Sequence, residues 1–305
     1  MTRYVVRRLL WLVPVLLFVS AITFSLMKLT PGGPWDHEKS VPPAAVAALN
    51  QKYNLDKPAW QQYFLWISAA AHGDLGPSYV YQDRSVTQII LSGLPNTASL
   101  GLFAGIVAIL VGVPLGVIAA LRQNSSVDYV ALGFGTVFAS VPSFVLGFIL
   151  ILVLALTLHL VPTSGWGKPN QYILPVLTLG LGQAALLTRI TRAAVLDVKR
   201  QDFMRTARAK GLRERVLISR HLMKNALIPV VTVLGPILAF LVTGSLVVEN
   251  VFNIPGVGRL LVQGISQRDY SLIMGSALLY ATVIAFLNLL VDVIYGFLDP
   301  RISYR

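Results

Sequence analysis

Several separate uninterrupted apolar runs of about 20 residues occur along this chain, more than one soluble core could hide. A run of that length lets an α-helix cross the ~30 Å hydrocarbon layer, where every backbone polar group must be satisfied inside the helix. Composition agrees with this. The 305 residues are 55% apolar and 12% charged, whereas about a quarter are charged in soluble chains. The reading is an all-α integral membrane protein with six transmembrane helices.

Charge placement orients those helices. A net charge of +12 would suggest nucleic acid in a soluble chain. Here eleven of the 25 basic residues lie between Arg189 and Lys224, accompanied only by the acids Asp197, Asp202 and Glu214. That concentration is positive-inside bias, and it argues against a nucleic-acid partner. The first span, Leu9–Leu29, follows Arg3, Arg7 and Arg8. Its apolar stretch is too long for a signal peptide and no small-x-small site follows, so it is expected to stay as an anchor.

The further spans expected are Thr97–Leu121, Tyr129–Leu160, Tyr172–Val195, Ala226–Val248 and Ser271–Phe297. At 1.5 Å per residue the third would run roughly 48 Å, so it must tilt or kink, with Pro142 as the expected break. The division is then an N-terminal transmembrane helix (1–29), a polar extracytoplasmic region (30–96) and a five-helix core (97–305). The core carries a cytoplasmic loop at about 196–225, and both termini fall on the cytoplasmic side. Within the polar region, Asp56 and Pro58 start a helix that ends near Gly73, with Trp60, Phe64 and Ile67 on one face. A helix lying at the lipid–water interface and a small soluble cap both fit that pattern.

The basic loop is patterned as well as charged. If Asp202–Lys210 is helical, Phe203, Met204, Ala207 and Gly211 share a face while Arg205 and Arg208 point away. Gly211 suits a left-handed helix stop. A second helix is expected to follow, since Leu212, Val216, Met223 and Leu227 share a stripe. The result is a helix–glycine–helix finger. Docking to a partner and resting on anionic lipid both fit it.

Arg205-Thr206-Ala207-Arg208-Ala209-Lys210-Gly211, with Arg220-His221-Leu222 and Asn225-Ala226-Leu227-Ile228-Pro229, resembles the EAA loop of ABC importer permeases. The glutamate and first alanine that name the loop are absent. Other stretches narrow the resemblance to the B-type permease subunit of the oligopeptide/dipeptide importer family. These are Arg7-Arg8, Leu29-Thr30-Pro31-Gly32-Gly33-Pro34, Gly73-Asp74-Leu75-Gly76, Ser140-Val141-Pro142-Ser143-Phe144, Glu249 with Pro255-Gly256-Val257-Gly258-Arg259, and Asp299-Pro300-Arg301-Ile302.

The resemblance implies a type I importer fold in a bacterial plasma (inner) membrane. It implies as partners a second homologous permease subunit of a different chain, two ABC ATPases and an extracytoplasmic substrate-binding protein. ATP and Mg would sit on the ATPases. Consistently, this chain has no GxxxxGK[ST] phosphate loop and is expected to bind no cofactor itself. Phe203 and Met204 would fill a cleft on the ATPase, Ala207 and Gly211 would allow close approach, and Arg205 and Arg208 would meet its rim. The function implied is ATP-driven uptake of peptides or similar-sized solutes; a self-sufficient channel or secondary transporter is the alternative.

Acids in or beside spans carry weight because charge is costly in lipid. Glu249 and Asn250, at the outer end of the fifth span, are candidate translocation-path residues, a structural cap being the other reading for Glu249. Asp292, inside the sixth span, reads as a structural acid. The histidines at 37, 72, 159 and 221 lack metal-ligand spacing, and Ser245 has no histidine at its depth. No catalytic or metal site is expected.

Overall fold

A computed structural model describes residues 2–35, 42–81, 83–243 and 245–298, and the side chains of 6–35, 42–81, 83–243 and 245–290. Asp292 as a side chain, and His37, Gly244 and Asp299-Pro300-Arg301-Ile302 entirely, lie outside the described residues. Among the described residues, five helical stretches are long and apolar enough to cross a membrane: Val6–Leu29, Val86–Leu121, Pro169–Lys199, Glu214–Val251 and Tyr270–Leu290. A sixth is reached if Ser126–Ser140 and Ser143–Thr157, bent by 106° at their junction, count as one span.

The chain divides into two compact units. One is Ala98–Ile254 together with the chain from Phe286 on; the other is Thr2–Thr97 with Pro255–Ala285. The helices are α1 (Thr2–Leu29), α2 (Pro43–Lys52), α3 (Ala59–Ala71), α4 (Val86–Leu121), α5 (Ser126–Ser140) and α6 (Ser143–Leu150). They continue with α7 (Ile173–Lys199), α8 (Asp202–Ala209), α9 (Glu214–Val216), α10 (Met223–Thr243), α11 (Ser245–Val251), α12 (Val257–Ser266) and α13 (Tyr270–Leu298). Helix α4 begins at Val86, eleven residues before the span start expected at Thr97.

In the first unit, α4 and α7 meet backbone to backbone. A Cβ added to Gly112 would lie 2.6 Å from the Ala184 carbonyl oxygen, and one added to Gly116 would lie 2.6 Å from that of Thr188. Where lipid supplies no hydrophobic drive between helices, such close approach supplies the packing energy. The Pro142 break is sharper than a kink. Val141 is held extended (φ −85, ψ 123), as a residue before proline is. Pro142 offers no N–H and Ser143 starts a new helix, whose end, Ile151–Thr157, is π-helical.

A second π-helical stretch, Leu217–Leu222, joins α9 to α10 and corrects an expectation. The stripe was expected at Leu212, Val216, Met223 and Leu227, but the buried positions are Leu217, Leu222, Ala226 and Val230. Bonding from i to i+5 encloses one extra residue in each hydrogen-bonded loop, widens the turn and moves the buried face along the sequence.

In the second unit, Asp269 is fully buried and accepts hydrogen bonds from Ser78 Oγ, from the Tyr79 N–H at 3.2 Å and from the Leu272 N–H at 3.2 Å. It thereby ties the 78–79 turn to the start of α13. Trp35, Tyr53, Tyr79 and Tyr270 form a chain of ring contacts beside it. Burial pushes the Tyr79 phenol up to about 12.

Candidate functional site

Helix α8 forms where expected, over Asp202–Ala209, and Gly211 follows at φ +75 as its left-handed stop. The stop closes with the Gly211 N–H on the Arg208 carbonyl at 2.9 Å, while Lys210 N–H reaches Thr206 at 3.0 Å. A Cβ at Gly211 would meet nothing within 4 Å, so the requirement for glycine is conformational rather than one of close approach within this chain.

The helix face is turned differently from the expectation. Met204 is 1% exposed and Ala207 8%. Both sit in a cluster with Ala120 at the end of α4, Val195, Leu196 and Val198 at the end of α7, and Leu217, Leu222 and Ala226 leading into α10. Met204 therefore does not project towards a partner, which is a correction. Its own chain provides an apolar socket, and the 100° step between successive helical residues then leaves Phe203 at the edge. Phe203 is 39% exposed and Leu212 38%. Arg205 and Arg208 are exposed, with only loose ion pairs to Asp202 and Glu214 at 3.5 Å each. Such exposed pairs hold little energy and leave both guanidinium groups available.

Glu249 and Asn250 are not brought together on an opening. Ser245, Val248, Glu249 and Phe252 lie on one stripe of α11 and its continuation, all of them buried, and Glu249 is 0% exposed. The Ser245 hydroxyl donates to Glu249 Oε1 at 2.6 Å. Phe252 and Ile254 drive this placement, because the chain folds back there into the main core. Asn250 faces the other way, exposed, and donates from Nδ2 to the Leu246 carbonyl at 2.8 Å. Full enclosure is the opposite of what a path-lining carboxylate needs, and it matches the structural-cap reading of Glu249.

Two features were invisible in the sequence. Asp128 and Arg192, 64 residues apart, form a two-point pair between α5 and α7, with Nη2 on Oδ2 at 2.7 Å and Nε on Oδ1 at 2.5 Å. The Asn124 N–H also donates to Asp128 at 2.9 Å. At the α5–α6 break lies a cavity of about 260 Å³, lined among others by Phe138, Ser143, Gln183, Arg189 and Phe240. Proline spacing pointed to the break but not to what faces it. Among the described residues no cluster of His, Cys, Asp and Glu could hold a metal.

A bundle of apolar helices with one broken span and a short helix socketed onto three of the spans is a membrane permease fold. It matches the membrane subunit of the methionine ABC transporter MetNI, solved facing inward, with a TM-score of 0.59 at 18% identity over 70% of this chain and 97% of that one. The chain belongs to the binding-protein-dependent transport system inner membrane component family: that model matches residues 112–304, and its N-terminal companion matches 1–101. It is similar along its whole length to the oligopeptide transport system permease protein OppB of Salmonella typhimurium, 40% identical over 306 residues and all of both chains. The dipeptide transport system permease protein DppB of Bacillus subtilis is 39% identical over 99% of this chain and 98% of its own. The chain is thus a multi-pass inner-membrane permease with a type I importer fold.

Proposed function

We propose that this chain is the energy-coupled half of a peptide importer, moving di- or oligopeptides inward while ATP is hydrolysed on other chains. The observation that carries the coupling role is α8. Its apolar face is socketed onto the ends of α4, α7 and α10, and its outer face presents Phe203, Arg205 and Arg208, with Leu212 exposed just past the Gly211 stop. A push on that outer face would reach three spans at once. The peptide substrate is supported by the relatives' names along the full length of the chain. In this reading α8 faces the cytoplasm, each of two permease subunits presents one such helix to an ABC ATPase, and a binding protein delivers solute from the other side. Met204 acts as the bolt and Phe203 as the contact.

Two measurements test this. In the purified complex, Phe203→Ala should weaken ATPase retention by about 2 kcal/mol, roughly 30-fold, as loss of a central interface ring does. Arg208→Ala should alter mainly the salt dependence. Equal retention by wild type and Phe203→Ala would refute the contact. Sidedness is checked with impermeant thiol reagents. A cysteine at Ser219 should label only after the inner face is opened, and one at Gln51 should label in intact cells.

A further inference from the structure

Helix α7 carries two arginines one turn apart on its inner half, and they have opposite circumstances. Arg192 is neutralised by Asp128. Arg189 has no acid paired with it among the described residues, and it lines the cavity at the α5–α6 break. Counting along α7 from Ile173, Arg189 lies about 24 Å from one end and about 15 Å from Lys199, which is within the hydrocarbon depth. A charged side chain there is costly and calls for a compensating partner or an aqueous path.

The surroundings are arranged for such a path. Gly135 on α5 leaves room for the arginine stem, since a Cβ there would lie 3.1 Å from Arg189 Cγ. Gln183, nearly two turns back on the same helix, and Ser143, the first residue after the break, add amide and hydroxyl groups. Phe138 and Phe240 supply apolar walls. Because Val141 and Pro142 hold the chain extended, the break also leaves backbone polar groups outside either helix ladder. A cavity of about 260 Å³ takes one or two residues' worth of solute at a time.

We propose that Arg189 is a specificity-determining residue that holds the solute's carboxylate during passage, with Gln183 and Ser143 as neutral hydrogen-bonding partners. A guanidinium fork matches a carboxylate in geometry, and the exposed Arg189 head is open to a solute entering the cavity. This rests on the peptide-permease reading above and adds one restriction to it: a peptide with a free carboxyl terminus is preferred over its amide.

The test is uptake of one tripeptide, as free acid and as C-terminal amide, by the complete transporter in liposomes. Wild type should prefer the acid by about tenfold or more, the scale of one charge-assisted hydrogen-bond pair. Arg189→Gln should bring the preference to within about twofold, and Arg189→Lys should leave an intermediate preference, because the charge remains but the two-point fork is lost. If wild type carries acid and amide equally well, the proposal fails while peptide transport stands. If wild type carries neither, the substrate reading itself has failed. If Arg189→Gln keeps the full preference, Arg189 is not the selecting group. Should Arg189→Gln not reach the membrane, Gln183→Glu answers the same question. A carboxylate beside Arg189 should depress uptake of the acid and favour the amide, and an unchanged ratio overturns the proposal.

Discussion

Helices α3 and α8 each carry large apolar side chains on one face, and those faces have opposite fates. In α8 the apolar face is satisfied within the chain, where Met204 and Ala207 are buried among residues of three other helices. In α3 no residue is fully buried, and Trp60 and Phe64 are 66% and 63% exposed. The chain holds α3 by its polar groups instead. Tyr63 OH meets Ser20 Oγ at 2.9 Å and the Leu17 carbonyl at 3.1 Å, and Trp66 Nε1 donates to the Leu75 carbonyl at 3.2 Å. A short helix with an apolar face thus makes an internal bolt in one place and an outward-facing aromatic surface in the other. What decides is whether apolar sockets lie within reach.

The largest effect should come from unbolting α8. Met204→Ala removes a buried side chain and leaves a cavity, a change that typically costs about 2–5 kcal/mol. The melting temperature in detergent should fall by several degrees, and proteolysis should cut near residues 200–213 first. A thermally unchanged Met204→Ala would erase the contrast with α3. A middle effect is expected at the stop. Gly211→Val forces a β-branched residue to φ +75, at about 1–2 kcal/mol, with open space around the new side chain. Its damage should appear as loss of substrate-stimulated ATP hydrolysis with little loss of fold. The smallest thermal effect belongs to α3. Trp60→Ser with Phe64→Ser should shift stability by no more than about 0.5 kcal/mol, as exposed substitutions do. The readout specific to a lipid-facing surface is the share of brominated-lipid quenching contributed by Trp60, measured as the drop from the native chain to Trp60→Phe, since Trp11 in the first span is quenched in both. Equal quenching of the native chain and Trp60→Phe would give the α3 face to a protein partner.

The parts legible in the sequence were those set by local chemistry. Run length placed the spans, Pro142 placed the break, and Gly211 placed the end of α8. What could not be read depends on groups far apart in the chain. The Asp128–Arg192 pair spans 64 positions, and neither residue's neighbours announce it. Glu249 looked available because it sits at the end of a span. Only the return of Phe252 and Ile254 into the core encloses it. Met204 was misplaced for a related reason, since periodicity gives the face of a helix but not what that face meets. The π-helical stretch at Leu217–Leu222 shifted a stripe that a regular period of 3.6 would have kept.

The glycine contact between α4 and α7 has a mechanical corollary. With the Ala184 and Thr188 carbonyl oxygens occupying the places where side chains would stand at 112 and 116, those two slots accept hydrogen and nothing larger. A slide of one helix along the other would push a side chain into one of them before the next register, about 5.4 Å away, was reached. The two helices are therefore splined together, locked against slipping along one another. In the coupling role proposed for α8, a push at the Met204 socket would reach α4 and α7 as one unit with their register kept.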